Sequence, residues 1–154
     1  PENTDNGVEK RIGDIKVEIV SVGIKPCAFE DMFGDRNTTK ESFLLINLRI
    51  TNTSTTTKAN YDTWRGKLIS ANKDFASVTD DFGNIYKRIS MDTTTPINSV
   101  ARNSSIYPGK SVNDTLVFEA PIESANTLTI DMPGDNIGQV QPIKFTLKTQ
   151  DITQ

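Results

Sequence analysis

Histidine is absent from the 154 residues of this chain. That removes the commonest general base, the commonest transition-metal ligand, and every serine or cysteine mechanism that activates its nucleophile through imidazole. Cysteine occurs once, as Cys27, so no disulfide closes within the chain and no thiolate cage for zinc or an iron–sulfur centre assembles from it. No apolar run approaches the roughly 20 residues of a membrane-spanning helix. No Gly-rich loop leads from a strand into a helix to cradle a phosphate or dinucleotide. The net charge is only −3, and the lysines and arginines are scattered, without the concentrated basic face a phosphate backbone requires. These absences lead us to expect no enzyme, no cofactor and no nucleic-acid partner. Carboxylates and lysines brought together by folding are the one catalytic route they leave open.

The length suits one domain, which at this size buries about two-thirds of its unfolded surface and needs no covalent staple. Residue 1 is Pro, and residues 1–10 are polar without apolar periodicity. We read 1–10 as a flexible tether cut from a longer precursor, ahead of a single domain over 11–154. A tether of this kind suits an exported or membrane-anchored protein, and extracytoplasmic localisation is the expectation; a trimmed cytosolic chain is the alternative.

What the sequence does contain is period-two alternation. Ile15, Val17 and Ile19 share one face of a strand, with Lys16 and Glu18 on the other. Leu44, Ile46, Leu48 and Ile50 oppose Asn47, Arg49 and Thr51. Leu116 and Phe118 alternate with Thr115 and Glu119, Leu128, Ile130 and Met132 with Thr129 and Asp131, and Ile143, Phe145 and Leu147 with Lys144, Thr146 and Lys148. Each segment has one wet and one dry face, as an antiparallel sheet covered on one side should. Turn residues punctuate the pattern at Asp81–Asn84, at Pro108–Gly109 and at Pro133–Asn136. The spacing predicts strands near 12–22, 43–52, 64–70, 75–80, 85–90, 112–120, 128–132 and 143–149. About eight strands of this kind imply an all-β fold, an immunoglobulin-like antiparallel sandwich, with a closed barrel as the other arrangement. One short helix is expected at Ala28–Phe33, where Phe29 and Phe33 stand four apart between Pro26 and Gly34.

These turns and strands resemble the telokin-like, immunoglobulin-fold domains of bacterial lipoproteins and secreted proteins, a group of mostly unassigned function. The Phe43–Ile50 strand running into Asn52-Thr53-Ser54 is similar to that family's strand followed by Asn and Ser/Thr. Asp81-Phe82-Gly83-Asn84-Ile85-Tyr86 resembles its Asp-x-Gly-x-x-Tyr turn. Pro108-Gly109-Lys110-Ser111 and the closing strand Leu116–Pro121 resemble two further elements, and the four together span about two-thirds of the chain. The chain departs from the family in a longer Gly23–Glu41 connection. The resemblance implies an extracytoplasmic, non-enzymatic domain; our own expectation is a binding or structural module of a cell-envelope or secreted protein, with a protein or cell-surface partner.

Few residues stand out as sites. Asp80, Asp81 and Asn84 gather oxygen ligands of the sort calcium takes, but Asp and Asn also form turns by bonding their own backbone. Tyr61, Trp64 and Tyr107 lie in or beside loops, where aromatics stack on sugars or anchor partners; Trp64 is equally suited to the core. A carbohydrate- or calcium-binding accessory domain of an extracellular enzyme is therefore the alternative function. Asp114 falls on the inward parity of Leu116 and Phe118. Either the strand starts only at Thr115, which we expect, or a bulge flips the face, or Asp114 is buried and paired. Cys27 reads as an inert, semi-buried thiol.

Overall fold

The computed structural model describes residues 8–66, 75–89 and 94–154. Among them are eleven strands: β1 (Glu9–Ile12), β2 (Ile15–Glu30), β3 (Arg36–Asn52), β4 (Ala59–Asp62), β5 (Ser77–Asp80), β6 (Ile85–Tyr86), β7 (Thr95–Pro96), β8 (Asn103–Ile106), β9 (Ser111–Phe118), β10 (Thr127–Met132) and β11 (Ile143–Lys148). Single 3₁₀ turns cover Gly134–Ile137 and Thr149–Asp151. The first sheet runs β1-β2-β3-β9, with β7 added to the far end of β2; the second runs β11-β10-β5-β6; β4 and β8 form a ribbon. Every strand pairing is antiparallel.

Alternation fixes the register. Ile15, Val17 and Ile19 face inward while Lys16 and Glu18 stay part-exposed, and β10 alternates without interruption. A one-residue slip would turn each apolar set to water, so the pairing has no competitor. The β1–β2 hairpin closes through Gly13-Asp14, with Gly13 at φ +58°. A glycine at the first position of a two-residue loop gives the turn a twist that matches its strands. The inner faces of both sheets merge in one core, where Val17, Ile46 and Leu48 meet Val78, Leu128 and Phe145. All of the expected core residues are buried except Leu147, which is half-buried. It sits on β11, the outer strand of its sheet.

The structure corrects several expectations. There are eleven strands among the described residues rather than about eight, because pairs as short as β6 and β7 leave no alternation to read. The sheet starts at Glu9, inside the stretch expected to be tether; residues 1–7 lie outside the described ones. Trp64 and Arg65 occupy a turn, and the rest of the strand expected over 64–70 falls outside the described residues apart from Gly66. Ala28–Glu30 is strand, not helix, and Met32 and Phe33 form the tip of a hairpin. Asp114 lies in mid-strand, paired with Leu48, and is 1 % exposed. Of its three readings, burial with partners is the one observed.

The 23–41 connection is the distal half of the β2–β3 hairpin. Its register shifts between Ile19 and Ser21 and again between Pro26 and Ala28. Bulges bend a strand and increase its twist, and here the arm curls back. Glu30, Asp31 and Arg36 at its tip line the same cleft as Val112 and Asn113 at the opposite end of β9. Cys27 thereby packs on Leu45 and Val117, with Phe43 and Ile89 at the margin, on the side of the first sheet that faces away from the main core.

Candidate functional site

The buried acid Asp114 organises a polar cluster that joins β9 to the β4–β8 ribbon. Its Oδ2 accepts the phenol of Tyr61 at 2.5 Å and the hydroxyl of Thr63 at 2.6 Å. Its Oδ1 accepts Arg65 Nε at 3.4 Å and the Thr115 amide at 3.0 Å. The Asp114 side chain is fully enclosed and the Arg65 side chain 15 % exposed. A carboxylate offers about four acceptor sites, and four donors fill them. Each donor is held in turn. Trp64 N donates to the Tyr61 oxygen at 3.1 Å, Arg65 N donates to Thr63 Oγ1 at 3.1 Å, and Arg65 Nη2 donates to the Val100 carbonyl.

Residues 61–66 thus form a clip between the β4–β8 ribbon and β9. Trp64 fastens it from the other side, donating Nε1 to the Pro133 carbonyl at 2.8 Å. Asn136 adds bonds to the Asp62 and Thr63 carbonyls at 2.8 and 3.2 Å. Tyr61 and Trp64 meet edge to face, centroids 5.1 Å apart. Burial first, and next the Asp114 carboxylate, push the Tyr61 phenol well above its ordinary range. Tyr61 therefore keeps its proton at neutral pH and acts as a donor to Asp114. With four donors on its two oxygens, Asp114 ties the clip to β9.

The other sequence candidates are placed as follows. Tyr61 and Trp64 are both fully buried, so neither offers a ring face to a sugar. Tyr107 is 58 % exposed, with Lys58 Nζ 5.2 Å from its ring centroid. Asp80 and Asp81 are committed to different partners. Asp80 takes the amides of Phe82 and Asn84 on Oδ1, both at 2.9 Å, with Asn84 Nδ2 and Tyr86 OH on Oδ2 at 2.9 and 2.6 Å. Burial alone would raise its pKa, but the bonds from Tyr86, Asn84 and Phe82 outweigh it and hold the group at about 2. Asp81 instead receives the Asn126 and Thr127 amides at 2.8 and 3.2 Å. Asn84 is a donor in both of its bonds to Asp80. The tip is a turn knitted by its own backbone, and among the described residues no group of three metal-ligating side chains assembles.

Among the described residues, clefts open to solvent in two places. One, of about 610 Å³, lies between the curled arm, residues 95–101 and β9. The second, of about 470 Å³, lies beside Asp14, Lys58, Asp62 and Asp135. None of the six candidate residues lines either. Thr63 and Arg65 were not singled out from the sequence, where their one signal is proximity to Tyr61 and Trp64.

No protein-family model and no curated protein sequence matches the chain. Solved structures do. YcdA of Bacillus subtilis, described as a "putative lipoprotein", superposes with a TM-score of 0.57 at 15 % identity over 94 % of this chain and 39 % of its own. The YjhA protein of Bacillus subtilis superposes with a TM-score of 0.56 at 12 % identity, over 91 % of this chain and 94 % of its own. The chain spans about two-fifths of YcdA and nearly all of YjhA. At these identities the likeness is one of fold: an all-β, antiparallel architecture shared with two Bacillus proteins.

Proposed function

We propose that this chain is an immunoglobulin-like sandwich of the telokin-like kind, serving as a non-catalytic, extracytoplasmic binding or structural module of a bacterial cell-envelope or secreted protein. The observation that carries the reading is the closure of the Asp114 cluster. The most deeply buried acid among the described residues spends all of its hydrogen-bonding capacity on Tyr61, Thr63, Arg65 and Thr115. A catalytic carboxylate needs an approach for substrate and a free lone pair. Likeness in fold to a protein described as a lipoprotein supports the placement outside the cytoplasm.

The accessory-domain alternative is weakened on both counts. Two of its three aromatics have no exposed face, and the oxygens of its calcium candidate Asp80 already accept four donors. Fractionation of cells expressing the complete reading frame tests the proposal. Recovery in the membrane or extracellular fraction, cleaved by protease added to intact cells, is the expected result. A protease-protected cytosolic pool would overturn it.

A further inference from the structure

We propose that the distal half of the β2–β3 hairpin is a strap that lifts from the first sheet as a local unit while the core between the sheets stays folded. The strap holds by little. Its buried anchor is Cys27 against Leu45 and Val117, whereas the main core draws on both sheets and the ribbon. At the bend, Pro26 has no amide proton to give. The Cys27 amide is diverted from strand pairing to Thr39 Oγ1 at 2.8 Å, and Thr39 in turn donates to the Glu41 carbonyl at 2.8 Å. Beyond the bend, Arg36–Thr38 and Lys40–Ser42 are exposed; the outer flank bonds to the C-terminal segment before the bend, from the Ile24 amide to the Thr153 carbonyl at 2.8 Å, and beyond it pairs with two residues of β7 and accepts the Ile97 amide on the Ala28 carbonyl. Segments with few buried apolar contacts and exposed backbone bonds open at lower free energy than the whole domain.

The tip is itself well formed. Asp31 Oδ1 accepts the Phe33 and Asp35 amides at 2.9 and 3.0 Å, and Met32 and Phe33 stand 67 and 82 % exposed. Opening therefore moves the arm as a hairpin about its bulges. What it uncovers is an apolar strip made of Cys27, Leu45 and Val117, continuous with Phe43. The strap is thus a cover over a concealed surface, and the thiol beneath it reports on its position.

Cys27 is the one cysteine of the chain, so alkylation by N-ethylmaleimide, followed by mass spectrometry of the full protein in increasing urea, reads the opening directly. Burial raises the thiol pKa in the closed form, which lowers reactivity until the strap lifts. The expected result is labelling about tenfold or more faster than the globally unfolded population allows, with a rate nearly flat in low urea because little surface is exposed. Thr39→Val, which cuts the Cys27 tether, should speed labelling several-fold while the rate stays nearly flat in low urea. Leu48→Ala should lower the midpoint without changing the rate in water. Labelling that follows global unfolding in magnitude and urea slope, and accelerates in Leu48→Ala in step with lost stability, would overturn the proposal. So would labelling as fast as in the unfolded chain. The wild-type urea slope decides the matter even if Thr39→Val does not fold.

Discussion

Tyr61 donates its phenolic proton to the Asp114 carboxylate across 2.5 Å, although 53 residues separate the two in sequence. The bond joins the β4–β8 ribbon to β9, the outer strand of the first sheet, where Asp114 pairs with Leu48. An enclosed carboxylate is costly unless paired and fully hydrogen-bonded, and this one meets both conditions.

Removing the acid should therefore cost more than removing the Tyr61 donor. Asp114→Ala leaves Arg65 without its partner in a largely buried site, and we expect a loss of about 3–5 kcal/mol. Tyr61→Phe removes one hydrogen bond to a charged group and should cost roughly 1.5–3 kcal/mol. Urea titrations with unchanged slopes would measure both. A loss under about 1 kcal/mol in Asp114→Ala would mean that the cluster does not hold the clip in place.

In the core, Leu48 and Leu147 provide a paired comparison. Leu48 lies at the centre of the first sheet at 1 % exposure, so Leu48→Ala should cost about 2–5 kcal/mol through transfer and cavity terms. Leu147 sits half-buried on the outer strand β11, and the same substitution there should cost clearly less, since solvent already reaches the site. Equal losses would show that the edge of the second sheet is as tightly packed as its centre.

The strands that were legible are those in which burial and alternation coincide. The faces of β10 and β11 can be read directly, because period-two patterning is a local signal, whereas Asp114–Phe118 of β9 is buried on both faces, Thr115 included. Asp114 shows the limit. Its parity pointed inward, and the expectation failed only because an acid seemed unfit for the core. Tyr61, Thr63 and Arg65, which make it fit, lie about 50 residues upstream, a relation that local pattern does not encode. The Ala28–Phe33 segment fails for the opposite reason. Its i, i+4 phenylalanines and flanking Pro and Gly imitate a helix, but pairing with β3 and β7 supplies backbone partners at Ala28–Glu30 that a helix of one turn or two cannot match. The candidate aromatics divided by context too: Trp64 and Tyr61 went to the core, and Tyr107 to the surface.

Gly134 is a position where the backbone leaves no room. A Cβ there would fall 2.2 Å from the Gln141 carbonyl oxygen and 2.7 Å from that of Gln139. Both obstacles are main chain, so the loop itself must shift, and it carries the Pro133 carbonyl that receives Trp64 Nε1. Gly134→Ala should cost about 1–3 kcal/mol by overpacking. Because Trp64 is the single tryptophan, its fluorescence should report the disturbance as a red shift in the folded state. An unshifted spectrum with full stability would show that the 134–141 loop adjusts freely.

Acid should weaken the domain through Asp80. Four donors lower its pKa from an ordinary 3.8 to about 2 in the folded state. The unfolded chain takes up the proton first, so linkage gives the sign: the Asp80 contribution is complete above about pH 4 and is lost as the pH falls towards 2. Asp81 shifts in the same direction, through the Asn126 amide chiefly, and contributes with the same sign. Asp80→Asn removes the titrating group, so its stability should decline less steeply than wild type between pH 4 and pH 2, although it starts lower at pH 7. Tyr86→Phe separates charge from structure. It deletes the 2.6 Å phenol bond while keeping the carboxylate, and should move the acid transition upward in pH without removing it. Thermal melts of the three proteins at half-unit steps of pH would measure these slopes. Parallel curves for wild type and Asp80→Asn would show that the hairpin carboxylate carries none of the acid sensitivity.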